Sequence, residues 1–202
     1  MLFRSVISFD EAESLAEQFG SPLLVASRTA LMRNYQAMRQ ALPGVEFFYA
    51  AKANPAEAIL RPLCEAGCSV DVCSYGEMQA ALRAGFSPDQ MIHTHPCKTI
   101  QNLTSCYAEG LRWFTFDNAN EIPKLTRHTP DVNLLLRLAV SSTTSLINLS
   151  AKFGASELDA VPLMLEARAA GLSVKGMSFH VGSQCRSPED FGVALEIGRA
   201  HV

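Results

Sequence analysis

Glu46-Phe-Phe-Tyr-Ala-Ala51, Ser69-Val-Asp-Val-Cys73, Met91-Ile-His-Thr94 and Trp113-Phe-Thr-Phe-Asp117 are four short runs that read as β-strands. Their starts fall about 22 residues apart, the length of a compact strand–helix unit with short connections. The intervening segments Pro55–Ala66, Tyr75–Ala84 and Thr99–Ala108 carry apolar residues at three- and four-residue spacing, as in Ile59, Leu60, Leu63 and Cys64, which predicts helices. Working outward, the same criteria predict strands over Leu23–Ser27, Asn133–Leu138 and Ser173–His180, with helices over Thr29–Ala41, Ala119–Arg127 and Ser156–Ala170. Gly67, Gly85, Gly110 and Gly171 fall just past predicted helix ends, where a left-handed cap favours glycine.

Strict strand–helix alternation implies a parallel sheet. The strands are nearly continuous apolar runs, as expected if both faces are covered. No glycine fingerprint for a dinucleotide and no phosphate loop follows the first strand, which weighs against the nucleotide-binding open sheets. The expected fold is therefore α/β, a (β/α)8 TIM-type barrel, incomplete at about six barrel strands. The 202 residues are 48% hydrophobic and 18% charged with a net charge of -3, the profile of one globular domain without a basic surface for nucleic acid. No apolar stretch approaches the roughly 20 residues of a membrane span, and the first residues lack the order of a signal peptide, so a cytoplasmic location is expected. The six cysteines form no C-x-x-C pair, and neither a zinc nor a disulfide scaffold is expected.

In such barrels the chemistry collects at the carboxyl ends of the strands. Those ends read Lys52, Asp71 with Ser74, His95, Asp117, Arg137, and His180 with Ser183. A lysine closing a buried strand is expected to be partly desolvated, which frees its amine for a Schiff base; the plainer alternative is a solvated strand cap. The connection from Leu138 to Ser156 is long for such a loop, and loops of that length are more often functional.

Phe48-Tyr-Ala-Ala-Lys-Ala-Asn-Pro55 resembles the cofactor-lysine signature of the fold-type III pyridoxal-phosphate (PLP) decarboxylases, which include ornithine, arginine, lysine and diaminopimelate decarboxylases. The resemblance continues in order. Asp71-Val-Cys-Ser-Tyr-Gly-Glu77 is similar to the family's acidic segment, and His95-Pro-Cys-Lys98 and Thr115-Phe-Asp117 to segments of its ornithine-type branch. Leu136-Arg137 is similar to its strand-end arginine, and Lys152-Phe-Gly-Ala155 to its mobile-loop motif. Ser178-Phe-His-Val-Gly-Ser183 is similar to the segment that stacks on and anchors the cofactor.

The resemblance implies that PLP is the cofactor and that Lys52 is the catalytic residue, forming the Schiff base that a substrate amine displaces. It implies that His180 lies against the pyridine ring and that Ser183, with N–H groups of the Gly182 turn, holds the phosphate. Asp71 and Glu77 would be acidic groups beside the reacting nitrogen, and Arg137 would hold the acidic network or the cofactor's polar edge. Lys152 would pair across a homodimer interface. The implied reaction is decarboxylation of a basic amino acid, most simply ornithine to putrescine in polyamine biosynthesis. Gln184, where the ornithine pattern has glycine, is similar to the diaminopimelate and arginine branches and keeps those substrates, with lysine, open.

Family members continue past this length, with a glycine-rich phosphate loop, an acidic partner for the pyridine nitrogen, and a C-terminal β-domain that supplies a proton-donating cysteine. None of these is found in this sequence. Residues 1–196 are therefore expected to be a partial PLP-binding barrel, inactive by itself, and 197–202 a non-native tail resembling translated adapter sequence. Two other classes compete. One is a non-catalytic PLP-binding relative, whose lysine motif differs from Tyr-Ala-Ala-Lys-Ala-Asn. The other is a metal-dependent barrel hydrolase using His93 and His95, which alternate with Cys97 along one strand, with His180 as the candidate third histidine from another strand; no metal is expected on the favoured reading.

Overall fold

The computed structural model describes residues 7–140, 145 and 152–200. Six strands, β1 (Phe48–Ala50), β2 (Ser69–Val72), β3 (Met91–His93), β4 (Trp113–Phe116), β5 (Asn133–Leu138) and β6 (Ser173–Phe179), are all parallel and pair in chain order. A doubly wound sheet reverses its strand order at a switch point. The absence of a reversal here gives the curl of a β/α barrel. β1 and β6 do not pair with each other, so the sheet has two edges and the barrel is open among the described residues. The expected barrel class and its six strands are both present.

Among the described residues eight helices accompany the strands: α1 (Phe9–Phe19), α2 (Arg28–Ala41), α3 (Glu57–Glu65), α4 (Tyr75–Ala84), α5 (Ile100–Ala108), α6 (Glu121–His128), α7 (Glu157–Ala169) and α8 (Glu189–Arg199). Helices α2 to α6 pack side by side in chain order. The core lies between them and the sheet. Val70, Val72, Met91, Phe114, Phe116, Leu134 and Leu136 of the strands meet Leu60, Leu63, Met78, Leu103 and Leu125 of the helices. Serine or threonine side chains cap α2, α4, α5 and α7 at Ser27, Ser74, Thr99 and Ser156, each accepting a backbone N–H three residues on. No described helix is long and apolar enough to cross a membrane.

Three expectations need correction. Leu23–Ser27 is not a strand; it runs outside the sheet with Leu24 88% exposed, because no neighbouring chain offers it hydrogen bonds. The strands are not covered equally on both faces. In β5, Leu134, Leu136 and Leu138 are buried against the helices while Asn133, Leu135 and Arg137 are half-buried, facing the open interior. Finally, α1 and α8 were not foreseen. Ser8 and Glu11 form a reciprocal capping box at the start of α1, yet no residue of that helix is buried. Helix α8 includes Ile197, which packs against the core.

Candidate active site

Parallel strands bring their carboxyl ends to one rim. A cavity of about 270 Å3 lies there, lined by Lys52, Asp71, Arg137 and His180, with Cys73, Thr94, His95, Pro96, Phe153, Ser178 and Phe179. Of the six residues to which the family resemblance gives a place at the cofactor (Lys52, Asp71, Glu77, Arg137, His180 and Ser183), four are thus brought together, joined by the strand-end His95, in this cavity. Glu77 and Ser183 are not among its lining residues.

Lys52 sits in a short 3-10 turn, Ala51–Ala53, directly after β1, with Ala51 fully buried as its anchor. The lysine itself is exposed, and the open sheet leaves its amine accessible. Asp71 lies half-buried in β2, and its Oδ1 accepts a 2.7 Å hydrogen bond from the Thr94 hydroxyl. Burial raises its carboxyl above the usual range, while the Thr94 bond and the Lys52 charge pull the other way. Asp71 thus shares the cavity wall with Lys52 and feels its charge.

His180 follows β6. Its Nδ1 accepts the Gly182 N–H at 2.9 Å, which leaves the proton of the neutral ring on Nε2. Burial, then the charges of Arg137 and Lys52, lowers its pKa and keeps the ring neutral at pH 7. The Gly182 N–H is thereby engaged within the chain. Ser183 is half-buried beyond it, next to Gln184 at φ 54°. The Glu77 carboxylate turns to the backbone, accepting the Cys73 N–H at 2.7 Å, and closes the β2–α4 turn together with the Ser74 cap.

Arg137 projects from the end of β5 with its guanidinium 5.1 Å from the Phe153 ring centroid. It is half-buried, and among the described residues no carboxylate stands within ion-pair distance of it. Burial lowers its pKa while the Asp117 and Asp71 charges pull the other way, and a guanidinium stays charged, so this cation faces the cavity.

Phe153 is delivered by a tight joint. The Ala155 N–H donates to the Arg137 carbonyl at 2.8 Å and the Ala139 N–H to the Ala155 carbonyl at 2.9 Å, extending β5 by one bridge. The Gly154 N–H donates to Asp117 Oδ2 at 2.9 Å. Gly154 has φ +100°, and a Cβ there would stand 2.4 Å from the Ala139 nitrogen, so no other residue fits. His95 meets the Phe153 ring edge-on at 5.5 Å, and its Nδ1 accepts the Cys97 N–H.

Thr94 and Phe153 were not singled out from the sequence. Phe153 sits in the Lys-Phe-Gly motif beside Lys152, which is exposed and does not line the cavity. The metal alternative loses its geometry. β3 ends at His93, so alternation no longer governs His95: His93 is fully buried against Phe114 and Asn102, whereas His95 faces the cavity. No group of three His, Cys, Asp or Glu is placed to hold a metal ion among the described residues.

The family described as pyridoxal-dependent decarboxylase, pyridoxal binding domain, matches residues 28–201. The lysine/ornithine decarboxylase of Selenomonas ruminantium is 39% identical over 193 residues, covering 96% of this chain and 49% of that protein. The crystal structure of a SrLDC mutant in complex with PLP superposes with a TM-score of 0.92 at 39% identity, covering 96% of this chain and 50% of that one. A lysine/ornithine decarboxylase from Vibrio vulnificus, complexed with putrescine, gives 0.87 at 35% identity, covering 96% and 52%. The chain thus spans about half the length of the relatives it matches. With a parallel barrel rim that presents a lysine, a histidine and an acid to one cavity, the chain belongs to the pyridoxal-dependent decarboxylase family, as its pyridoxal-binding domain.

Proposed function

We propose that the chain is the cofactor-holding part of a PLP-dependent decarboxylase acting on a basic amino acid, with ornithine, converted to putrescine, as the preferred substrate. The observation that carries the reading is the convergence of Lys52, Asp71, Arg137 and His180 on one cavity at the strand ends. These residues fit the cofactor. The exposed Lys52 amine can reach an aldehyde, the neutral His180 ring offers a flat face, and the cationic Arg137 attracts an anionic group of cofactor or substrate. Asp71, its carboxyl raised by burial, can hold a proton next to the Lys52 nitrogen. When bound, PLP supplies the electron sink that accepts the charge left by loss of carbon dioxide.

Glu77 and Ser183 belong to this reading as supports. Glu77 fixes the loop after Asp71, and Ser183 stands beyond the His180–Gly182 turn with its hydroxyl available to a phosphate. The ornithine preference rests on relatives named ornithine or lysine/ornithine decarboxylases and on the Pro-Cys-Lys and Lys-Phe-Gly segments. The complete enzyme is read as a cytoplasmic homodimer, with the exposed Lys152 at its interface. The 202-residue chain alone is read as inactive, because its cavity wall is open between β6 and β1.

Incubation with PLP, borohydride reduction and peptide mapping tests the cofactor assignment. The label is expected on Lys52 and is expected to vanish in Lys52→Ala; a label on another lysine overturns it. An assay of carbon dioxide release from ornithine, lysine and arginine tests the rest. Clear turnover by the chain alone would contradict its inactivity, and turnover by the complete enzyme on arginine in preference to ornithine would displace the substrate reading.

A further inference from the structure

β3 and β4 share a single register pair, His93 with Phe114. The neighbouring ladders are longer, with three pairs each in β1/β2 and β2/β3 and four in β4/β5. The β3/β4 ladder thus stops short of the rim, just where Thr94 and His95 enter the cavity wall. A side chain bridges the gap. Lys98 Nζ donates to the carbonyl oxygens of His95 (3.2 Å), Pro96 (2.8 Å) and Thr115 (2.6 Å). The first two carbonyls belong to the β3–α5 connection and the third to β4, so one ammonium makes the cross-strand link that the backbone lacks there.

The arrangement is costly, and the ammonium itself is fully matched. The Lys98 side chain is fully buried, its three donors are matched by three acceptors, and Glu121 stands 3.4 Å away as counter-charge. Lys124 in turn pairs with Glu121 and donates to the Lys98 carbonyl. A lysine that merely began a helix would leave its ammonium in water.

We infer that Lys98 is a positioning residue of the cavity: it locks the end of β3 so that Thr94 holds Asp71 and His95 faces the site. The inference rests on reading the cavity as the PLP site. Its test uses the full chain as wild type, Lys98→Met, Thr94→Val and the double variant, measuring PLP affinity and amide hydrogen exchange over residues 94–97. Each single change is expected to weaken PLP binding on the order of tenfold, the scale of one charge-assisted or buried hydrogen bond. The double variant is expected to be little worse than either, because both act through one contact. Lys98→Met is expected to speed exchange at 94–97, and Lys98→Arg to restore part of both effects. Additive losses, or wild-type affinity in a folded Lys98→Met, overturn the inference. Should wild type take no PLP at Lys52, the functional reading fails instead, and exchange alone decides: unchanged rates in Lys98→Met overturn the positioning role. If Lys98→Met does not fold, Glu121→Gln removes the counter-charge; faster exchange at 94–97 supports the role and wild-type rates overturn it.

Discussion

His93 shows how far burial governs a residue that the sequence offers as a ligand. It is wholly buried, stacked on Phe114, with Nε2 3.2 Å from the Asn102 amide. Burial, then the Lys98 charge, lowers its pKa to about 3. The folded chain keeps it neutral, while the unfolded chain takes up a proton near pH 6.5. Stability is therefore fully present above that pH and is lost as pH falls from there through about 3, by up to ~1.4 kcal/mol per pH unit. Urea unfolding across this range should give a shallower pH slope for His93→Phe; equal slopes would count against it. Burial likewise sorts the cysteines: Cys68 and Cys106 are buried, with Cys106 pushed up to about 12 by burial, whereas Cys97 is exposed. Alkylation of the native chain should label Cys97 well before Cys106, as mass spectrometry of timed samples can check. Lys52 was legible from its motif. Its exposure was not, because burial depends on strands remote in sequence.

Elements were legible where local chemistry marks both ends. Helix α4 begins after the Ser74 cap and stops at Gly85, in the left-handed region at φ 105°, and its bounds, Tyr75–Ala84, are those expected. Ser74→Ala should cost about 1 kcal/mol in thermal or urea unfolding. Strands have no such markers. Leu23–Ser27 has strand composition but no partner, and β1 shortens from the expected Glu46–Ala51 to Phe48–Ala50 because β2 pairs with it over three residues. The joint at Gly154 was equally hidden, since its need for glycine arises from the backbone of Ala139. Gly154→Ala should destabilise the chain by about 2–4 kcal/mol, through the forced φ and the overlap together, and should loosen Phe153 from Arg137. A wild-type unfolding midpoint for that variant would refute the account of the joint.

Across the whole molecule, protection should follow the sheet. Native-state hydrogen exchange is expected to be slowest in the central strands β2 to β5, faster in the edge strand β1, and fastest in α1, which buries nothing. Protection of α1 equal to that of α4 would contradict this. The amino-acid order by itself determined the strand–helix rhythm, the parallel barrel class, the lysine motif and the placing of polar residues at strand ends. These follow from periodicity, caps and turns, which act over a few residues. The tertiary structure alone decided which strand ends share a cavity, that Glu77 serves the backbone, that His93 and His95 part company, and that Lys98 links β3 to β4. Each of those depends on contacts between residues far apart along the chain, and on which surfaces lose water when they meet.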